Sequence, residues 1–180
     1  IMKVLFISNI PSPYRVQFFN ELGKHCDLTV CFEGKSATDR NANWKSDAAL
    51  NYRELCLNGI RTGSDNFLSL GICGVLKQKW DHIIMGGYAT PTQMLAILYM
   101  KLHKIPFLLE ADGGLIGTEN RLKYQLKRFF ISSASAWISS GAGTTEYFVH
   151  YGAASERCYL YPFTSLLQQD LEEAKRKKAS

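Results

Sequence analysis

The chain alternates between short apolar runs and segments with helical periodicity. Runs such as KVLFIS (3–8) and DLTVCFE (27–33) have the length and composition of strands that are buried on both faces. Amphipathic segments separate most of these runs, and strands that alternate with helices are typical of a parallel sheet covered on both sides. We therefore predict a doubly wound, Rossmann-like α/β fold with a parallel sheet.

The pattern gives approximate bounds for each element. The predicted strands are 3–8, 27–33, 52–57, 82–87, 106–111, 136–140 and 158–163. The predicted helices are 14–25, 67–79, 92–103, 120–132 and 145–151. The polar segment 34–49 is long for a connection, and it fits either a mobile binding loop or a disordered stretch. We expect one domain over 1–164, followed at 165–180 by a linker or helix that leads toward another domain.

Composition excludes several classes of protein. No apolar stretch reaches the ~20 residues that a transmembrane helix needs. The five cysteines and four histidines are scattered, which argues against a disulfide framework or a structural zinc site and favours a cytoplasmic protein. The net charge of +5 is concentrated partly in KRKK (175–178), so we expect no nucleic-acid partner.

The junction after the first strand, NIPSPYR (9–15), is stiffened by two prolines. Ser12 is a good N-cap, and Pro13 suits the first helical position. The backbone N–H groups of Tyr14 and Arg15 then point above the sheet, where a helix start favours anions or hydroxyl oxygens. Helix capping without a ligand explains the same residues equally well.

A similar junction, GGYATPTQ (86–93), follows the fourth predicted strand. Thr90 caps the next helix and Gln93 completes a capping box. Gly87 allows a ligand to approach the backbone, and Tyr88 offers an aromatic face to a sugar or a base. The glycines also fit an ordinary turn.

The segment EADGG (110–114) places two carboxylates at the end of a strand. Glu110 or Asp112 could hold a hydroxyl group or act as a general base, next to a flexible Gly113. Alternatively, Asp112 and Gly113 form a turn and Glu110 pairs with a nearby lysine.

The predicted helix at 120–130 carries an apolar stripe with a basic rim. Leu122, Leu126 and Phe129 share one side of this helix, and the rim comprises Arg121, Lys123, Lys127 and Arg128. Such a helix could touch an anionic membrane surface. We favour the more common arrangement, in which the stripe packs into the core and the basic residues face solvent.

Four segments in order carry a resemblance to a known family. KVLFISNIPSPYRVQFFNEL, IIMGGYATPTQ, FLLEADGG and GAGTTEYFVHYGAASERCYLYPF resemble the N-terminal half of a family 4 (group 1) glycosyltransferase with the GT-B fold. No dinucleotide fingerprint, P-loop, nucleophile elbow or zincin motif competes with this identification. The resemblance covers the chain from Lys3 to about Ser165.

The resemblance implies a function and a set of roles. It implies the acceptor-binding domain of a retaining enzyme that transfers a sugar from a nucleotide-sugar donor to a sugar or lipid-linked acceptor, in cell-surface polysaccharide synthesis. No metal or further cofactor is implied. The segment from Asn9 to Arg15 would line the cleft near the sugar phosphates and the acceptor, Gly87 and Tyr88 would line the acceptor side, and Glu110 or Asp112 would orient the attacking hydroxyl.

Two departures keep alternatives open. Many relatives have a histidine in the loop after this strand, whereas EADGG has none, so the choice between Asp112 and Glu110 stays open. No E-x7-E donor motif follows either, so we expect the chain to be inactive alone. A GT-B nucleotide-sugar 2-epimerase domain and a stand-alone α/β binding module are the alternatives. We expect a cytoplasmic location, with a peripheral contact to the inner face of the membrane as an open possibility.

Overall fold

The fold is built on a seven-stranded sheet. The computed structural model describes residues 1–9, 11–34, 50–63 and 66–162. The strands are β1 (Lys3–Ser8), β2 (Asp27–Phe32), β3 (Arg53–Cys56), β4 (Ile60–Arg61), β5 (Phe67–Leu68), β6 (His82–Met85), β7 (Leu108–Ala111), β8 (Ala136–Ser139) and β9 (Cys158–Leu160). The main sheet has the order β3-β2-β1-β6-β7-β8-β9, and every ladder in it is parallel. The predicted doubly wound Rossmann-like fold is confirmed.

Within the described residues, five α-helices connect the strands, and one predicted helix begins too early. The helices are α1 (Pro13–Leu22), α2 (Gly71–Leu76), α3 (Pro91–Leu102), α4 (Arg121–Ile131) and α5 (Ala142–His150). The prediction of a helix from residue 67 is wrong, because Phe67 and Leu68 form β5, which pairs antiparallel with β4. The other predicted elements are present, with ends shifted by a few residues.

Two predicted segments cannot be compared with the structure. Apart from Gly34, the polar segment 34–49 lies outside the described residues, and so does the linker predicted at 165–180. The division of the chain at residue 164 therefore stays a prediction.

The strands bury side chains on both faces of the sheet. Val4 and Phe6 of β1 pack in one cluster with Phe19 of α1. Leu5 and Ile7 point to the opposite face and pack in a larger cluster, to which α2, α3 and α5 contribute. This division explains why residues 4–7 of β1 are all apolar, since neither face of the strand meets water there.

Helix α4 is oriented opposite to our prediction. Leu122 and Leu126 are 80% and 50% exposed, and Phe129 is also exposed, so the apolar stripe does not pack into the core. The side that faces the protein carries Tyr124, whose hydroxyl donates to the carbonyl of His150, together with Lys127 and Ile131. Lys127 is thus not part of the rim, and its side chain is only 21% exposed.

The sheet has a topological switch point between β1 and β6. From β1 the chain passes through α1 to β2 on one side, whereas from β6 it passes through α3 to β7 on the other. The loops that leave the two strands diverge and leave a crevice beyond the carboxyl ends, where open α/β sheets bind their ligands.

Candidate functional site

A polar cavity of about 270 Å³ lies at the switch point. Its lining residues come from the ends of β1, β6 and β7 and from the start of α1. They are Ser8, Asn9, Ser12, Tyr14, Arg15, Gly86 and Asp112. Five of the residues that the sequence singled out, namely Asn9, Ser12, Tyr14, Arg15 and Asp112, therefore meet in one cavity.

A buried ion pair forms one side of this cavity. Nη2 of Arg15 donates to Oε1 and Oε2 of Glu110 at 3.1 and 3.0 Å, and to Oδ2 of Asp112 at 3.4 Å. The side chains of Arg15 and Glu110 are only 9% and 1% exposed, whereas that of Asp112 is 52% exposed. Glu110 is thus a buried partner of Arg15, and Asp112 is the carboxylate that solvent or a ligand can reach.

The pairing changes what Arg15 contributes to the site. Burial alone would lower the pKa of Arg15, but the charge of Glu110 and its hydrogen bonds outweigh burial, and the pKa of Arg15 is raised. One guanidinium faces two carboxylates, so the group carries no excess of positive charge. Such a site suits hydroxyl groups, which carboxylates hold well, better than it suits phosphate groups.

Tyr161, which the sequence analysis did not single out, completes the ion pair. Its hydroxyl donates to Oε1 of Glu110, and burial together with the charge of Glu110 raises the pKa of Tyr161. The two residues are 51 positions apart in the chain. Their contact depends on the pairing of β7, β8 and β9, which local sequence patterns do not reveal.

The start of α1 has the predicted geometry without the predicted capping bond. Ser12 occupies the N-cap position with an extended backbone, and Pro13 follows as the first helical residue. The Ser12 hydroxyl makes no capping hydrogen bond within the described part of the helix. Ser12 lines the cavity instead, where its hydroxyl could bind a ligand.

The start of α3 has both the predicted cap and a contact that the sequence did not suggest. The capping box of Thr90 and Gln93 is present, with the Gln93 N–H donating to Oγ1 of Thr90 at 3.2 Å. The Thr90 hydroxyl in turn donates to Oε2 of Glu33 at 2.6 Å. Thr90 is buried, and it is not among the residues that line the cavity.

Glu33 is a buried carboxylate at the end of β2. Burial raises the pKa of Glu33 to about 7, although hydrogen bonding by Thr90 and Gln93 opposes the change. Oε1 of Glu33 has no hydrogen-bond partner among the described residues. The sequence signal for Glu33 was an acidic side chain directly after DLTVCF, a run in which every residue after Asp27 is buried. The sequence analysis treated Glu33 only as the end of a strand.

Like Thr90, the predicted substrate-binding residues Gly87, Tyr88 and Gly113 lie outside the cavity lining. The Tyr88 hydroxyl is hydrogen-bonded to that of Tyr147 in α5. Gly87 adopts a φ of +145°, and a Cβ there would lie 2.9 Å from Oε1 of Gln93, so this position requires glycine. Gly113 is exposed on the loop after β7.

The described residues contain no cluster of side chains suited to a metal ion. Across residues 1–9, 11–34, 50–63 and 66–162, no group of three or more histidine, cysteine or acidic side chains could hold a metal ion.

Comparison with known proteins identifies the fold and not a family. No family model matches the chain, and no curated protein matches it in sequence. Among solved structures, Anabaena Alr3699/HepE in complex with UDP-glucose matches with a TM-score of 0.63 and 11% identity. The complex of the same protein with UDP and glucose matches with a TM-score of 0.62 and 12% identity.

A second neighbour is a different kind of protein. UDP-N-acetylglucosamine 2-epimerase from Rickettsia bellii matches with a TM-score of 0.59 and 14% identity, over 100% of this chain and 49% of that one. The HepE match covers 99% of this chain and 50% of that one. The chain thus has the Rossmann-like fold of GT-B proteins and spans about half the length of these neighbours.

Proposed function

We propose that the chain is the acceptor-binding domain of a retaining glycosyltransferase that uses a nucleotide-sugar donor, in cell-surface polysaccharide synthesis. The observation that carries this proposal is the polar cavity at the switch point, where Asn9, Ser12, Arg15 and Asp112 meet. The GT-B neighbours lend support, since one of them was solved with UDP-glucose and with UDP and glucose. The chain spans about half the length of those neighbours. We therefore propose sugar transfer as an activity of the complete protein and not of this chain alone.

The geometry suggests separate roles for the two carboxylates. Asp112 is half exposed at the cavity, so we assign to it the contact with the acceptor hydroxyl, which it orients toward the donor carbon. Glu110 is buried and its two oxygens accept hydrogen bonds from Arg15 and Tyr161. We therefore assign to Glu110 the positioning of Arg15 and not a proton transfer.

The balance of charge favours a sugar acceptor in this cavity. Arg15 is neutralised by its two acidic neighbours, so the donor phosphates gain little from it. Sugar hydroxyls can donate to Asp112 and exchange hydrogen bonds with Ser12 and Asn9. The donor nucleotide would be held by the second half of a GT-B cleft.

A nucleotide-sugar 2-epimerase domain is the second candidate, and the fold neighbour from Rickettsia bellii favours it. The products separate the two activities. We expect the complete protein, incubated with a panel of UDP-sugars and candidate acceptors, to yield a glycoside and free UDP. An epimerised UDP-sugar would support the second candidate, and no reaction with any donor would favour a non-catalytic binding module.

The role of Asp112 has its own test. We expect Asp112→Asn to reduce turnover of the complete enzyme by ~100-fold, because an amide cannot accept the hydroxyl proton. Asp81→Asn is the matched control, since Asp81 lies at the opposite end of the sheet and accepts from the backbone N–H of Lys3. Equal activity of the Asp112 and Asp81 variants would remove Asp112 from the reaction.

A further inference from the structure

Large apolar side chains are exposed on the loop after β7 and on α4. Each of them is between 39% and 90% exposed. They are Leu115, Ile116, Leu122, Leu126 and Phe129. Monomeric proteins rarely leave such side chains together in water without a function. We call this set the apolar strip.

The strip is fixed in place by contacts on the opposite side of α4. Lys127 forms an ion pair with Glu119 at 2.8 Å, and the Tyr151 hydroxyl donates to the same carboxylate. The backbone of Gly114 lies against the Tyr147 ring, where a Cβ would approach to 2.5 Å. The loop is therefore anchored on both sides of Leu115, which is 90% exposed. The strip cannot turn inward without breaking these contacts.

Basic side chains flank the strip on both sides. With 3.6 residues per turn, Lys123 lies on one side of the stripe formed by Leu122 and Leu126, and Arg121 and Arg128 lie on the other. All three basic residues are exposed. From α3, Nζ of Lys101 lies 4.4 Å from the centre of the Phe129 ring.

Acidic side chains are scarce around the strip. Between residues 113 and 135 the one acidic residue is Glu119, and it is neutralised by Lys127. Helix α3 contains no acidic residue at all. An apolar stripe with exposed cations on both flanks, and with no exposed acidic side chain between residues 113 and 135 or on α3, is complementary to lipid acyl chains beneath anionic headgroups.

We propose that the apolar strip and its basic flanks dock this domain on an anionic membrane surface. Leu115, Leu122 and Leu126 enter the boundary of the acyl chains, while Arg121 and Lys123 lie at the level of the lipid phosphates. Helix α4 lies in the plane of the surface and does not cross it, in keeping with the finding that no helix in the described chain is long and apolar enough to span a membrane.

This docking brings the polar cavity close to the membrane. Asp112, which lines the cavity, precedes Leu115 by three positions on the same anchored loop. An acceptor headgroup at the membrane surface would therefore be close to the cavity mouth. Membrane binding does not depend on the proposed transfer reaction, so each can fail without the other.

Vesicle co-sedimentation of the purified chain tests the proposal. We expect the chain to bind vesicles that contain phosphatidylglycerol, and to bind pure phosphatidylcholine vesicles far more weakly. High salt should weaken the binding, because the basic flanks act through screened charges. Equal binding to both kinds of vesicle, or no binding to either, would overturn the proposal.

Variants identify the surface. Leu122→Gln with Leu126→Gln should weaken binding by at least about tenfold, since two apolar side chains lose their burial. Ile60→Gln with Leu70→Gln is the matched control, because these two apolar side chains are exposed outside the strip, and this variant should bind as the wild type does. Arg121→Gln and Lys123→Gln should each cost about fivefold on anionic vesicles.

A second copy of the chain is the main competing occupant. If the strip were a dimer interface, Leu122→Gln with Leu126→Gln would convert a dimer to a monomer in light scattering, and vesicle binding would be absent or unchanged. That result would overturn membrane docking. All substituted side chains are exposed, so circular dichroism should report an unchanged fold for every variant.

Discussion

Replacement of Arg15 by methionine should strongly destabilise the domain. The change removes the guanidinium and leaves Glu110, which is 1% exposed, without a cation while Tyr161 still donates to it. Breaking a buried pair by removing one partner costs about 3–5 kcal/mol, because an uncompensated charge remains in the interior. Methionine keeps much of the side-chain volume, so the loss reports the charge and not a cavity.

The chain offers a matched control for this experiment. Arg53 pairs with Asp27 at 3.0 Å, but the Arg53 side chain is 67% exposed. Exposed pairs of this kind contribute about 0–1 kcal/mol. Arg53→Met should therefore leave the free energy of unfolding almost unchanged.

Urea unfolding followed by circular dichroism measures both losses, and a double-mutant cycle isolates the pair. Glu110→Gln removes the charge that Arg15 faces, so Arg15→Met should cost much less in that background than in the wild type. A coupling energy of about 2 kcal/mol or more is expected for charged groups in direct contact. If Arg15→Met cost no more than Arg53→Met, or if the two changes were additive, the buried ion pair would not stabilise the fold as we argue.

Two further changes test other parts of the structure. For Glu33, the folded-state pKa of about 7 lies above the ordinary value of 4.5, so its contribution to stability is greatest below pH 4.5 and is lost as the pH rises to about 7. Glu33→Gln should therefore raise the free energy of unfolding by up to about 3 kcal/mol at pH 8, and it should change that free energy little at pH 4. The exposed Glu21→Gln is the control, and an equal effect of Glu33→Gln at both pH values would contradict the prediction. Gly87→Ala should cost about 1–3 kcal/mol in urea unfolding, because φ is +145° there. Gly74→Ala, in the open on helix α2, should be neutral or stabilising, and equal effects at the two glycines would refute the claim of backbone strain.

The sheet could be predicted because strands buried on both faces leave a strong signal. The β1 run KVLFIS has the predicted bounds, and the alternation with helices gave the fold class. The pair β4 and β5 was missed, because two-residue strands carry no periodicity and Phe67 and Leu68 fit a helical pattern equally well. Local sequence could not show that these two residues pair with Ile60 and Arg61.

The candidate site could be predicted in outline and not in its contacts. Strand ends place Ser12 and Asp112 at one edge by topology alone. One of the two interpretations of Glu110 paired it with a nearby lysine, but the cation that it contacts is Arg15, 95 positions away in sequence. Helix α4 shows the same limit, because its periodicity gave the stripe at Leu122 and Leu126 but not the direction in which the stripe points.

The most direct test of the central claim is a titration of the isotope-labelled chain with sugars, followed by NMR. We use a panel of methyl glycosides and, separately, UDP. The account predicts that at least one glycoside shifts the backbone signals of Asn9, Ser12 and Asp112 in a saturable way, and that Asp112→Asn weakens this binding while Asp81→Asn does not. Shifts that cluster elsewhere on the domain, or that persist unchanged in Asp112→Asn, would contradict a sugar-binding role for the cavity.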